Sequence, residues 1–181
     1  MKKIGICGTG LMGASMAQIF AEQGYETKIY GRTEASLERA KKIVHLAEDR
    51  GLVYTTVLED LKDSDIIIES IVEELSAKQA LFERLSKIVG PETILATNTS
   101  GLSVNAVGER VVGKERFLGM HWFNPSHLIP LIEIIRNHQT GEDCVKKVYA
   151  LALAIGKKPV ICRNDVPGFI ANRIQFAVLR E

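Results

Sequence analysis

KIGICGTGLMG, residues 3–13, is the stretch on which the fold turns. Its first five residues, Lys3–Cys7, predict a short buried strand, and the apolar spacing of residues 11–23 predicts a helix directly after it. Gly8, Gly10 and Gly13 punctuate the join. At that spacing the first glycine allows a tight turn, the second lets the backbone approach a pyrophosphate, and the third lets helix pack closely on strand. The helix amino terminus then receives the phosphate charge. Leu11 and Met12, between the last two glycines, complete the candidate cofactor loop. Gly24 turns the chain into a second strand over residues 27–30, so strand, glycine loop, helix and strand together predict a dinucleotide-binding unit.

The second strand ends Tyr30-Gly31-Arg32-Thr33. An acidic residue at this point would accept a hydrogen bond from the 2′-hydroxyl of an unphosphorylated adenosine ribose. None is present, and Arg32 with the Thr33 hydroxyl suits a 2′-phosphate instead. The expected cofactor is therefore NAD(P), with NADP favoured.

Outward from this unit, short apolar runs keep alternating with helical patterns. Thr33 is placed to cap a helix running toward Arg50, with Leu37, Ala40, Val44 and Ala47 on its apolar side. Residues 65–72, DIIIESIV, form a near-continuous apolar run, as expected of a parallel strand covered on both faces. An amphipathic helix over 76–89 stops at Gly90-Pro91. Strands follow at 93–97, Phe117–Trp122 and 131–135, then a helix over 142–155 and a strand at Lys158–Cys162. The alternation predicts the α/β class: a Rossmann-type, doubly wound, mostly parallel sheet. Beyond residues 164–168, NDVPG, the pattern becomes purely helical from Phe169 and is still running at Glu181.

The chain has 181 residues, 46% hydrophobic and 25% charged, the balance of an ordinary globular protein. A formal net charge of +1 gives no bulk attraction to nucleic acid or to an anionic membrane. Cys7, Cys144 and Cys162 show no metal-ligand spacing and read as reduced, buried residues. No apolar run approaches a membrane span, and the amino terminus lacks the features of a secretory signal. The expectation is a soluble cytoplasmic protein with a small-molecule substrate, no nucleic-acid or membrane partner and no metal.

Residues 119–136, GMHWFNPSHLIPLIEIIR, carry the candidate chemistry. Glu133 stands inside an apolar run, where a carboxylate is costly unless paired. A strand ending near His121, a loop marked by Pro125 and Pro130, and a second strand through Glu133 bring the two side chains together. A carboxylate that accepts one ring N–H of a histidine fixes its tautomer and leaves the other nitrogen as a base. His127 and His138 read as surface or loop residues, Glu69 as structural, and Trp122 and Phe123 as packing or cleft wall.

Four blocks, GTGLMG at 8–13, TNTS at 97–100, HWFNP at 121–125 and DVPGFIANR at 165–173, together make the chain resemble the 3-hydroxyacyl-CoA dehydrogenase family. The resemblance implies His121 as catalytic base, Glu133 orienting it, Ser100 on the substrate oxygen and Asn172 lining the same site. It implies that Glu73 and Lys78 contact the nicotinamide ribose, with Asn98 nearby. It divides the chain into a dinucleotide-binding domain, 1–164, and the start of a truncated all-α dimerisation and substrate domain, 165–181.

The sequence also departs from that family. Gly31-Arg32 replaces the expected acid. The connection from Thr33 to Ile66 is short where relatives that use CoA thioesters often carry a longer helical excursion, leaving Lys41 and Lys42 as candidate phosphate contacts. The carboxy-terminal domain is nearly absent. A reading as a nucleotide-binding fragment follows, with Phe169, Ile170, Ile174, Phe176 and Val178 exposed and covered by a homodimer partner or a separate helical domain. A third reading is a dehydrogenase of a small free 3-hydroxy acid, of the gulonate or carnitine type, because SHLIPLIEII resembles that branch.

Overall fold

A computed structural model describes residues 1–46 and 51–181. Fourteen elements matter to the site: β1 Lys3–Cys7, α1 Leu11–Glu22, β2 Glu26–Tyr30, α2 Glu34–Ile43, β3 Leu52–Thr55, β4 Ile66–Glu69, α3 Leu75–Ile88, β5 Ile94–Thr97, α4 Val104–Val107, β6 Phe117–Trp122, β7 Leu131–Arg136, α5 Glu142–Ala154, β8 Lys158–Cys162 and α6 Ala171–Arg180. The strands form one eight-stranded sheet in the order β3-β2-β1-β4-β5-β6-β7-β8. All neighbours are parallel except β6 and β7. Strand order reverses between β1 and β4, and ligands bind outside the carboxyl ends of strands at such a point.

Register places the functional ends together. Cys7 pairs with Tyr30 on one side and Glu69 on the other, Glu69 with Thr97, and Thr97 with Gly119, two residues before His121. The antiparallel β7 returns so that His121 lies directly opposite Glu133. Paired residues of adjacent strands share a face, so the hairpin itself assembles the dyad.

Alternation along the strands feeds two cores. Ile4, Ile6, Ile66, Ile68, Met120 and Ile134 face α1 and α5, packing with Phe20, Met16 and Val148. Cys7, Ile67, Leu95, Phe117 and Ile135 face the other way, with Phe82 and Leu85 of α3 and Val104 of α4. The central strands are covered on both faces, which is why they read as continuous apolar runs.

Four local differences from the sequence reading have physical causes. Helix α2 ends at Ile43, with Val44 already extended, because the chain must return to run β3 alongside β2; Ala47 and Arg50 lie outside the described residues. Strand β3, Leu-Val-Tyr-Thr, is apolar but only four residues long, and pairing with β2 is what establishes it. Strand β4 stops at Glu69, where Ser70 N–H turns to the carbonyl of Cys7 at 2.7 Å. The last helix begins at Ala171, after left-handed residues at Gly168 (φ +77°) and Phe169 (φ +50°). That turn rotates Phe169 inward, so it is buried, contrary to the expectation of an exposed position, while Ile170, Ile174, Phe176 and Val178 are exposed. Among the described residues no helix is long and apolar enough to cross a membrane.

Candidate active site

The glycine loop joins β1 to α1 at the strand-order reversal. Gly8 has φ +124°, and a Cβ there would lie 2.2 Å from the carbonyl oxygen of Ser70. A Cβ on Gly13 would lie 2.1 Å from the carbonyl oxygen of Gly8, so this glycine is what lets the helix sit on the loop. Gly10 differs: nothing lies within 4 Å of where its Cβ would be. It is also the N-cap of α1, with no side chain capping the helix. The first amide groups of α1 therefore face open space over a residue without a side chain. That cradle fits a pyrophosphate.

At the end of β2 neighbouring side chains fill the space beside Gly31. A Cβ on Gly31 would meet Ser36 Oγ at 2.5 Å, Thr9 Cγ2 at 2.7 Å and Leu37 Cδ2 at 2.9 Å. Arg32 beside it is exposed. Thr33 caps α2, its Oγ1 accepting from Ser36 N–H at 3.2 Å.

His121 and Glu133 are buried, at 3% and 1% exposure. His121 Nδ1 stands 2.8 Å from Glu133 Oε2. The other carboxylate oxygen, Oε1, accepts from the backbone N–H groups of Ile170 and Ala171 at 2.9 and 2.8 Å. Burial alone would push Glu133 up. The hydrogen bonds from His121, Ala171 and Ile170 outweigh it and hold the carboxyl below its ordinary value. An ionised Glu133 accepts, so Nδ1 donates and Nε2 is left as the basic nitrogen. The imidazole lies between the rings of Phe123, with centroids 4.5 Å apart, and Phe169, at 5.5 Å.

The segment after β5 supplies the next groups. Asn98 accepts from Trp122 N–H at 2.8 Å and donates to Ser70 Oγ at 3.2 Å, tying the ends of β4 and β6 across β5. Glu73 receives the Thr99 hydroxyl, Ser100 N–H at 2.9 Å and Gly101 N–H at 3.2 Å. Burial opposes the charge on Glu73, but the Thr99 hydroxyl, the Lys78 ammonium and those amides lower its pKa overall. Lys78 bridges Glu73 at 3.2 Å and Glu69 at 2.5 Å, and both Lys78 and Glu69 are fully buried. Glu69 also accepts from Thr97 Oγ1 and Ile71 N–H at 2.7 Å each.

Thus His121, Glu133, Ser100 and Asn172 come to one end of the sheet. Asn172 Nδ2 donates to the Ser100 carbonyl at 3.3 Å, and α4 is capped by Ser103. Glu73, Lys78 and Asn98 border them, and Arg32 and Thr33 stand beyond the glycine loop. His127 and His138 are exposed, apart from the dyad. Sequence reasoning missed Phe169 as a neighbour of His121; helical periodicity assigned it to the exposed face. All three cysteines are buried, and burial pushes Cys144 and Cys162 up to about 12, which leaves no reactive thiolate. No three His, Cys, Asp or Glu side chains among the described residues gather as metal ligands.

Comparison with known proteins agrees with this fold. Residues 3–166 match the family model for the 3-hydroxyacyl-CoA dehydrogenase, NAD binding domain. The chain is 35% identical to the probable 3-hydroxybutyryl-CoA dehydrogenase of Deinococcus radiodurans, over 99% of this chain and 70% of that protein. It is 33% identical to the 5-formyl-3-hydroxy-2-methylpyridine 4-carboxylate 5-dehydrogenase of Mesorhizobium japonicum, over 100% of this chain and 63% of that protein. The crystal structure of (S)-3-hydroxybutyryl-CoA dehydrogenase from Ralstonia eutropha superposes with a TM-score of 0.93 at 30% identity, over 99% of this chain and 69% of that one. The chain therefore spans between 63% and 70% of the length of these proteins.

Proposed function

The chain belongs to the 3-hydroxyacyl-CoA dehydrogenase family, and on that premise we propose that it serves the reversible, NAD(P)-dependent oxidation of a short-chain 3-hydroxyacyl-CoA, of the 3-hydroxybutyryl type, to its 3-oxoacyl thioester. The observation that carries the reading is the 2.8 Å contact between His121 Nδ1 and Glu133 Oε2, at the sheet edge shared with the glycine loop.

Gly8, Gly10, Leu11, Met12 and Gly13 would hold the pyrophosphate, and Glu73 and Asn98 the nicotinamide ribose. Lys78 would act on the ribose through Glu73, its own amine being buried between two carboxylates. The nicotinamide, when bound, supplies the hydride donor or acceptor. The proton is handled by the chain. His121 Nε2 takes it from the C3 hydroxyl when alcohol becomes ketone and returns it in the reverse direction. Glu133 stabilises the imidazolium so formed, and Ser100 and Asn172 orient the substrate oxygen.

NADP is the favoured cofactor. Gly31 offers no carboxylate to a 2′-hydroxyl, while Arg32 is exposed beside it. The boundary proposed at 164/165 sits close to the end of the family match at residue 166. The exposed apolar face of α6 is then the surface for a homodimer partner or a separate helical domain.

Two further readings each have an observation in their favour. A small free acid as substrate fits the ten-residue α2, in which Lys41 pairs with Glu38 at 2.7 Å. It also fits the likeness to an enzyme named for a pyridine carboxylate. A nucleotide-binding fragment that needs a helical partner fits the chain's share of its relatives' length.

The test is oxidation of NADPH and of NADH by this chain with acetoacetyl-CoA, acetoacetate and no acceptor. Turnover with the thioester and NADPH is expected. Turnover only with the free acid supports the second reading, and nucleotide binding without turnover the third. No nucleotide binding at all overturns the assignment.

A further inference from the structure

We propose that Lys157 is a positioning residue for the dyad: its ammonium braces the loop between β6 and β7, and through Phe123 that loop fixes the ring of His121. The proposal rests on the reading of His121 as the proton-transfer group.

Residues 123–130 join the two strands that carry His121 and Glu133. Lys157 lies opposite this loop, where α5 turns into β8 through Gly156 (φ +75°), and is only 8% exposed. Its Nζ donates to the carbonyl of Ser126 and, at 2.9 Å, to that of Ile129. The next residue, Lys158, donates its backbone N–H to the carbonyl of Pro130 at 2.8 Å. Two consecutive residues thus hold three loop carbonyls. Inside the loop, the amides of Leu128 and Ile129 close onto the carbonyl of Pro125 at 3.1 and 3.0 Å.

The ammonium is placed at a cost. Burial pushes its pKa down, and no carboxylate pairs with it among the described residues. A buried cation without a counter-ion is unfavourable unless its donors are used. A methionine would fill similar volume without that cost but cannot donate, so the loop carbonyls are what the amine is for. Lys157 Nζ also stands 5.3 Å from the centre of the Trp122 ring, a cation–π distance. Trp122 follows His121 directly, and Phe123, at the start of the loop, touches the imidazole. Displacement of the loop reaches the catalytic ring through both neighbours.

The test uses Lys157→Met and Lys157→Arg in the full chain, with Leu61→Ala, in the opposite core, as a control for general destabilisation. Three readouts need no substrate: hydrogen exchange at the Leu128 and Ile129 amides, emission of Trp122, which is the only tryptophan, and the ring-nitrogen resonances of His121. Lys157→Met should speed exchange at both amides by about tenfold or more, and should shift the Trp122 emission and the His121 resonances. It should lower kcat by about 10–100-fold with NADPH affinity within about twofold of wild type. Lys157→Arg should recover most of each change. Lys157→Leu carries the same comparison if the methionine variant does not fold. Unchanged amide protection and His121 resonances in Lys157→Met, or the same changes in Leu61→Ala, would overturn the proposal. A wild-type chain that turns over no substrate defeats the functional reading instead, and the three substrate-free readouts still decide the role of Lys157.

Discussion

Glu133→Gln replaces one carboxylate oxygen of the dyad by an NH2 group of the same size. The carboxylate now makes three hydrogen bonds: Oε2 accepts from His121, and Oε1 from Ile170 and Ala171. The amide can turn either way. With its nitrogen toward the helix start, two N–H donors would face a third. Two charge-assisted bonds worth roughly 1.5–3 kcal/mol each would be lost. With its nitrogen toward His121, those two bonds survive in neutral form, and only the histidine must adapt. The second orientation is cheaper and wins. Nδ1 must then accept, so the ring proton moves to Nε2, the site that has to be vacant for the substrate's proton. Loss of a positioned general base costs about 10²–10⁴-fold, or roughly 3–5 kcal/mol of transition-state stabilisation.

The assay is kcat for NADPH oxidation, read beside thermal unfolding. The variant should lose about two to four orders of magnitude in kcat and only about 1–2 kcal/mol of stability. Its pH signature is distinct. The folded pKa of Glu133 lies below the unfolded value, so its contribution to stability is present above the ordinary carboxylate range and lost as pH falls through the folded value. The stability gap between wild type and variant should narrow in acid. Turnover of Glu133→Gln within about threefold of wild type would refute the tautomer argument.

Other outcomes follow from the same geometry. Arg32→Ala should raise KM for NADPH by about 10-fold or more and leave NADH unaffected, since a charged contact to phosphate is worth roughly 1.5–3 kcal/mol; equal effects on both nucleotides would remove the 2′-phosphate assignment. Gly10→Ala should fold as wild type, its Cβ meeting open space, yet lose nucleotide affinity in a titration. Gly13→Ala, with a Cβ 2.1 Å from a carbonyl oxygen, should be destabilised in a urea melt. Similar midpoints for the two would contradict the cradle. Lys78→Met should cost about 3–5 kcal/mol near neutral pH by leaving Glu69 buried without its partner. A small change in melting temperature would mean that the buried Lys78–Glu69 pair contributes little to stability.

Local chemistry explains what the sequence made legible. The first strand, the glycine loop and α1 announce themselves because Gly8 and Gly13 are each demanded by a close backbone contact, while Gly10 leaves the helix start open. The dyad was readable because an acid inside LIEII must be paired, and of the two histidines in this hairpin His121 is the one on a strand while His127 falls in the loop. Strand β3, Leu-Val-Tyr-Thr, was missed because four residues are too short a run to stand out without its pairing with β2. Phe169 was assigned to the wrong face because helical periodicity was started at a residue that is left-handed. Lys157 carried no signal at all; its partners are carbonyls some thirty positions away, and backbone acceptors leave no mark on a sequence.

The two oxygens of Glu133 have a consequence for anyone cutting or grafting this chain. One oxygen serves the histidine and the other the first amides of α6, so the seam between modules does not coincide with the edge of the chemistry. A transplant ending at residue 164 would take the nucleotide cradle intact and leave the carboxylate without two of its three donors. Any foreign helical module joined to this sheet has to inherit residues 165–172 from the donor of the sheet, and the splice belongs after Asn172.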